Sequence, residues 1–111
     1  MGKFKDAISS YMEAKKELIK SEPEIMKNYQ KFVESILKEG HLSTKTKELI
    51  ALAIAIVKRC EYCIGIHVEK ALKAGATKEE IIEVALVCTL MEGGPAMTYF
   101  TEVKKALDDF C

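Results

Sequence analysis

The sequence predicts an all-α protein of about six helices, and three observations support this. Apolar residues recur at spacings of three and four along most of the 111 residues. Only two prolines and six glycines interrupt the chain. No pair of alternating runs joined by turn residues predicts a β-hairpin. Because the length suits one hydrophobic core, we expect a single domain over residues 1–111.

The first predicted helix covers residues 3–20 and is amphipathic. A stop and restart follows it. Ser21 and Glu24 have the spacing of a capping box, and Pro23 suits the first turn of a new helix. We therefore expect a second helix to begin here.

The second helix is predicted to run to about Glu39, with Gly40 as its C′ residue. Ser43 or Thr44 is predicted to cap the helix after it. The apolar stripe of the second helix consists of Ile25, Tyr29, Phe32, Val33, Ile36 and Leu37.

The third helix, about residues 44–59, contains an apolar run from Leu49 to Val57. Strong helix formers favour a helix over a strand here. A helix that is apolar on all sides is buried in a core or between subunits. The fifth helix is also heavily apolar, and four modest partners cannot cover both in a monomer of this size. We therefore expect a closed homo-oligomer.

The fourth helix is predicted over residues 60–74 and ends at Gly75. Residues 77–80 (Thr-Lys-Glu-Glu) form a capping box for the fifth helix, residues 81–91. Pro95 starts the last helix, whose apolar positions are Met97, Phe100, Val103 and Leu107.

Composition excludes several classes of protein. Lys+Arg and Asp+Glu number 17 each, so no overall field favours nucleic acid or an anionic membrane. The longest apolar run has nine residues, too few to cross a bilayer. The N-terminus lacks the apolar core of a signal peptide, and a helical chain with four cysteines does not have the pattern of a secreted disulfide framework. We expect a cytoplasmic protein.

Cys60, Cys63 and His67 form the segment with the clearest chemistry. On a helix these spacings place all three on one face. Two thiols at this separation can close a disulfide, and a thiol beside an imidazole or at a helix start can become a thiolate near neutral pH. Redox chemistry is therefore the leading hypothesis. Packing of the two cysteines as small apolar residues is the alternative.

Glu48 precedes Cys60 by twelve residues, roughly 18 Å along a straight helix. If the chain turns back near residue 60, however, His67 returns to within about 7–8 Å of Glu48 along the axis, within reach of two side chains or one water. A carboxylate there would orient the imidazole. From position alone, a favourable charge in the first helical turn is equally consistent.

These residues carry a family resemblance. Glu48, Cys60-x-x-Cys63-x-x-x-His67, residues 74–83 (AGATKEEIIE) and residues 93–96 (GGPA) together resemble the carboxymuconolactone decarboxylase family, and most closely its alkylhydroperoxidase D-like branch. The resemblance covers about residues 42–110.

The resemblance implies an all-α bundle with a central helical hairpin, assembled as a homotrimer or homohexamer. It implies an enzyme of peroxiredoxin activity that reduces a hydroperoxide or disulfide. Cys63 would attack the peroxide, Cys60 would resolve it, and Glu48 and His67 would relay protons. The Cys60–Cys63 disulfide would serve in place of a cofactor or metal, and a dithiol of thioredoxin or lipoyl type would donate electrons.

Tyr62 is one departure from this branch, in which a second relay histidine precedes the second cysteine. Tyr62 could instead line the thiol pocket. A phenol cannot replace imidazole as a base at neutral pH. This departure weakens the implied peroxidase activity more than thiol–disulfide exchange.

Three alternatives stay open at this point. A lactone decarboxylase could use His67 and Glu48 as acid–base groups, without needing two cysteines. A zinc site could use Cys60, Cys63 and His67 with Glu48 or Cys88. A structural or partner-binding helical oligomer would leave the thiols incidental. Cys88 is predicted to pack in the core and Cys111 to be a mobile terminal thiol.

Overall fold

Residues 2–111, described by a computed structural model, form six helices and no strand, which confirms the predicted fold class. The helices are α1 (Lys3–Ser21), α2 (Pro23–Leu37), α3 (Thr44–Val57), α4 (Glu61–Lys73), α5 (Lys78–Glu92) and α6 (Gly94–Phe110).

The core lies among α3, α4, α5 and α6. α3 packs on α4 and α5, and α6 packs on α4 and α5. α1 lies across α4 and α6 and contributes Phe4, which is fully buried. Burial of apolar surface is therefore shared by five helices, and it fixes α4 from both sides. The largest fully buried side chains are Phe4, Leu52, Ile56, Ile64, Val68, Ile81 and Val103.

α2 lies outside this core. It packs against α1 and α3, and Met26 is its buried residue. The predicted apolar stripe of α2 therefore does not face the core of its own chain. Four of its side chains are about half exposed or more: Ile25, Tyr29, Phe32 and Ile36.

Three of the predicted helix caps are present. Ser43 accepts a hydrogen bond from the Thr46 N–H. Thr77 and Glu80 form the reciprocal capping box of α5. Gly75 follows α4 with φ of 101°, in the left-handed region where glycine has no steric penalty.

Two cap predictions are wrong. The N-cap of α2 is Glu22, without a side-chain bond, and Ser21 is the last residue of α1, where its hydroxyl donates back to the Leu18 carbonyl. The Ser21–Glu24 capping box therefore does not form, because α1 continues one residue further than expected.

Gly40 is also not the C′ residue of α2, because the helix ends earlier, at Leu37. Side chains of α3 satisfy the terminal carbonyls instead. The Lys47 ammonium donates to the carbonyls of Ile36 and Lys38, and the Thr44 hydroxyl donates to that of Leu37. A cation at a helix C-terminus also interacts favourably with the negative end of the helix dipole.

No helix within residues 2–111 combines the length and the apolar character that a membrane crossing requires.

Candidate active site

α3 and α4 form a helical hairpin that turns at residues 58–60, and this hairpin brings Glu48 and His67 together. The Glu48 Oε1 atom lies 2.6 Å from the His67 Nδ1 atom. The predicted approach of these two residues is therefore confirmed, and the contact is direct. The distance is that of a short hydrogen bond.

Glu48 is 3% exposed and is the one charged or polar residue in the buried set of residues 2–111. A buried carboxylate is costly unless it is paired and hydrogen-bonded. His67 supplies that pairing, with its side chain 23% exposed. The arrangement fixes the imidazole through Nδ1 and leaves its other ring nitrogen for a second partner.

Cys60 and Cys63 are joined by a disulfide, with Cα atoms 5.2 Å apart. Cys60 is the N-cap of α4 and Cys63 lies in its first turn. The Cys60 Sγ atom accepts a hydrogen bond of 3.2 Å from the Cys63 backbone N–H. Both cysteines are half-buried. The free N–H groups and the positive dipole end of α4 therefore point at the sulfurs.

The turn before Cys60 is a Schellman motif. The Cys60 N–H donates to the Ala55 carbonyl and the Arg59 N–H donates to the Ile56 carbonyl, both at 3.1 Å. Arg59 has φ of 55° and is the one non-glycine residue of residues 2–111 with positive φ. The Arg59 carbonyl accepts a hydrogen bond of 3.2 Å from the Tyr99 hydroxyl of α6.

The other predicted residues have different environments. Tyr62 lies between the two cysteines in the first turn of α4 and is 53% exposed. Cys88 is buried and donates to the Ala53 carbonyl at 3.5 Å, and burial raises the pKa of its thiol. Cys111 is exposed. No three His, Cys, Asp or Glu side chains of residues 2–111 are grouped closely enough to hold a metal ion while Cys60 and Cys63 form a disulfide.

Two cavities lie away from these residues. One, of about 430 Å³, lies between α1 and α2 and is lined by residues such as Met12, Ile19 and Met26. The other, of about 130 Å³, lies between α5 and α6. Neither is lined by the cysteines, Glu48 or His67.

Residues 23–106 match the sequence profile of the carboxymuconolactone decarboxylase family, about three quarters of the chain. The chain belongs to this family. The predicted family resemblance is thereby confirmed.

Three proteins are similar to this chain in sequence or in fold. A carboxymuconolactone decarboxylase family protein from Legionella pneumophila is 35% identical, with a TM-score of 0.91 over 97% of this chain and 96% of its own. An uncharacterized protein from Cupriavidus necator is 33% identical over 88 residues, which is 79% of this chain and 78% of that protein. A family protein from Thermotoga maritima, 24% identical, has the same fold with a TM-score of 0.78 over 94% of this chain and 88% of its own.

Sequence reasoning missed Tyr99 and the left-handed conformation of Arg59. Tyr99 is 40 residues away from Arg59, and no local pattern connects them. The Lys58-Arg59 pair marks the end of α3, but propensity favours glycine or asparagine at a C′ position. The sequence alone therefore does not indicate that Arg59 adopts the left-handed conformation.

Proposed function

We propose that this chain is a thiol-dependent oxidoreductase that reduces a hydroperoxide or a disulfide through Cys60 and Cys63. The observation that carries the proposal is the buried Glu48–His67 hydrogen bond one helical turn from a half-buried disulfide. A buried carboxylate that holds an imidazole beside a thiol is the arrangement that activates cysteine nucleophiles.

His67 is the proposed proton carrier. In the reduced protein, the ring nitrogen that Glu48 does not contact takes the proton of the Cys63 thiol. Glu48 is a positioning residue, because it acts through the imidazole and fixes its orientation. Since the thiolate is the reactive form of cysteine, this step makes Cys63 a nucleophile.

The Cys63 thiolate then attacks the terminal oxygen of a hydroperoxide. An S–O bond forms and the O–O bond breaks, so the sulfur is oxidised to a sulfenic acid and the peroxide is reduced. The departing alkoxide or hydroxide takes the proton from His67 and leaves as alcohol or water.

Cys60 completes the cycle. Its thiolate attacks the sulfenic sulfur of Cys63, which forms the S–S bond and expels hydroxide, released as water after protonation. A dithiol donor of thioredoxin or lipoyl type then reduces the disulfide by two exchange steps and is itself oxidised to a disulfide. For a disulfide substrate, the same exchange replaces the peroxide step.

Membership of the family supports this proposal, as does the suggested role of the Thermotoga maritima protein in an antioxidative response. We place the reaction in the cytoplasm, where reduced dithiols are available, and in a homotrimer or homohexamer.

The test is consumption of hydrogen peroxide and of an organic hydroperoxide, with dihydrolipoamide or dithiothreitol as donor. Cys63→Ser should abolish turnover. Cys60→Ser should leave a single turnover whose sulfenic acid is trapped by dimedone. Cys111→Ser is the matched control, because this thiol is exposed and lies in no described contact with the site, and its rate should equal that of the wild type.

Peroxide consumption that survives Cys63→Ser would end the proposal, and activity on a lactone in the same variant would favour acid–base chemistry at His67 instead. Because Tyr62 stands where the alkylhydroperoxidase D-like branch has a second relay histidine, we also expect reduction of a small disulfide to be faster than reduction of peroxide.

Glu48→Gln tests the relay separately. The amide keeps the size of the side chain but loses its charge, so His67 is held less well and we expect a fall in turnover of about 10²- to 10⁴-fold, the usual contribution of a positioned acid–base group. The pH–rate profile should change shape as well as height. A uniform loss at every pH would indicate a structural role only.

A further inference from the structure

We infer that Tyr99 is a positioning residue for Cys60. Its hydroxyl holds the carbonyl of Arg59, and Arg59 in turn sets where the Cys60 sulfur lies at the start of α4. The inference rests on the proposed redox role of Cys60, but its test requires no turnover.

Arg59 and Cys60 are consecutive residues of the turn that joins α3 to α4. Arg59 is the C′ residue of the Schellman motif that ends α3, and Cys60 is both the last residue of that motif and the N-cap of α4. The direction in which α4 begins, and the position of the Cys60 Sγ atom 3.2 Å from the Cys63 N–H, therefore depend on the conformation of Arg59.

That conformation is unfavourable for arginine. A residue with a Cβ atom at φ of 55° is in the left-handed region, which side chains disfavour. Backbone strain of this kind persists only where the surroundings hold it, and it is concentrated at functional sites.

α4 provides an internal comparison at its other end. Gly75 is the C′ residue of a second Schellman motif, in which the Ala76 N–H donates to the Ala71 carbonyl and the Gly75 N–H donates to the Leu72 carbonyl. There the left-handed residue is glycine, and the hydrogen bonds of residues 2–111 include no side-chain donor to its carbonyl. The motif with the strained residue, Arg59, is therefore the one whose carbonyl accepts a hydrogen bond from a side chain of another helix, Tyr99.

Tyr99 is suited to this role by its own packing. Its ring packs partly buried against the hydrophobic core, so the hydroxyl is presented at a fixed position to the Arg59 carbonyl at 3.2 Å. A donor on a rigid aromatic ring loses little conformational entropy when it makes this bond.

The expected consequence concerns the reduced protein. A thiolate at the N-cap of α4 gains more from the Cys63 N–H and the helix dipole than a neutral thiol does. Loosening the turn should therefore lower the fraction of Cys60 present as thiolate near neutral pH. The net value of one hydrogen bond limits the change to between about twofold and tenfold.

The experiment measures iodoacetamide alkylation of Cys60 in the full chain carrying Cys63→Ser and Cys111→Ser. Cys88 is buried, so Cys60 is the accessible thiol. The rate is followed from about pH 5 to about pH 10, because loss of thiolate moves the profile to higher pH, whereas altered access scales the whole profile. Tyr99→Phe should slow alkylation at neutral pH by about twofold to tenfold and move the profile.

Two substitutions at Arg59 identify the cause. Both Arg59→Ala and Arg59→Gly remove the charge beside Cys60, but only glycine relieves the left-handed strain. In the Arg59→Ala background, Tyr99→Phe should have its full effect. In the Arg59→Gly background, the effect should fall below about twofold, because the turn no longer needs the hydroxyl.

Tyr11→Phe is the matched control, since Tyr11 lies on α1, its hydroxyl makes none of the hydrogen bonds described for residues 2–111, and the change should leave the profile unchanged. An unchanged profile for Tyr99→Phe would overturn the inference. An equal effect of Tyr99→Phe in the alanine and glycine backgrounds would also overturn it, because the hydroxyl would then act without Arg59. Failure of the wild type to reduce either a hydroperoxide or a disulfide would overturn the proposed function and leave this result standing.

Discussion

Gly65 lies on α4 between Cys63 and His67, at the contact with Phe4 of α1. A Cβ atom at position 65 would lie 2.7 Å from the Cδ1 atom of Phe4, closer than carbon atoms approach. Alanine would gain about 1 kcal/mol in helix propensity, but overpacking against a fully buried ring costs about 1–3 kcal/mol. We expect Gly65→Ala to lower the free energy of unfolding by about 1 kcal/mol, measured by urea unfolding.

The Phe4→Ala background is the control for this prediction, because it removes the ring that the new methyl group meets. There Gly65→Ala should raise the free energy of unfolding by about 0.5–1 kcal/mol, as propensity alone requires. The sign of the effect should therefore reverse between the two backgrounds. A stabilising effect of Gly65→Ala in the wild type would contradict the close packing of α1 on the site helix.

The contact of Glu48 with His67 could be predicted from the sequence because short-range rules determine it. Helical rise and a turn near residue 60 fix which positions lie level on two antiparallel helices. The hydrogen bond from Tyr99 to the Arg59 carbonyl could not be predicted. It depends on how α6 crosses the end of α3, and no local sequence pattern encodes that crossing.

At the scale of elements, Lys3 ties the start of α1 to two other helices. Its ammonium lies 2.8 Å from Glu102 Oε1 in α6 and 3.3 Å from Glu61 Oε1 in the first turn of α4. The hydrogen bond from Lys3 holds the pKa of Glu102 below its ordinary value of 4.5, against the opposing effect of burial. The same bond with Glu102 raises the pKa of Lys3.

This pair predicts a loss of stability in acid. Because the pKa of Glu102 is lower in the folded chain, its contribution is complete above about pH 4.5 and is lost as the pH falls through the folded pKa. We expect Glu102→Gln to lower the free energy of unfolding by about 0.5–1 kcal/mol at pH 7. The deficit relative to the wild type should shrink between pH 7 and about pH 3, because protonation of Glu102 removes the charge that glutamine lacks.

Urea unfolding at the two pH values measures this effect, and Glu13→Gln, an exposed position of α1, is the control that should change neither. A deficit of Glu102→Gln that is equal at both pH values would contradict a contribution from the ionised carboxylate.

The packing of α2 shows that helical periodicity predicts where a helix lies but not which surface its apolar stripe contacts. The period identifies the helix, and the structure has it at Pro23–Leu37. The period does not say which surface the apolar stripe meets, since a stripe is equally suited to a core of the same chain and to another subunit. The end of α2 is also not predictable from local sequence, because Lys47 of α3 donates hydrogen bonds to the carbonyls of Ile36 and Lys38 there.

At the scale of the whole molecule, large apolar side chains form exposed faces on α2 and on α5. The first is the α2 face, comprising Ile25, Tyr29, Phe32 and Ile36. The second is the α5 face, comprising Leu86, Val87, Leu90 and Met91, of which the last two are 80% exposed. Exposed patches of this kind mark interaction surfaces, and the apolar composition of the third and fifth helices predicts the same self-association.

We expect the protein to form a closed homo-oligomer at micromolar concentration, as a trimer or hexamer, and light scattering after size exclusion measures this. In a hexamer that uses a different face for each of two interfaces, loss of one face should leave the contacts of the other. Leu90→Glu and Phe32→Glu should then each give a smaller assembly, and the double variant should be monomeric. In a trimer, which has one kind of interface, the variant that lies in that interface should be monomeric. Lys104→Glu, an exposed position of α6, is the control that should keep the wild-type mass. A monomeric wild type would contradict the prediction and would leave both faces without a partner.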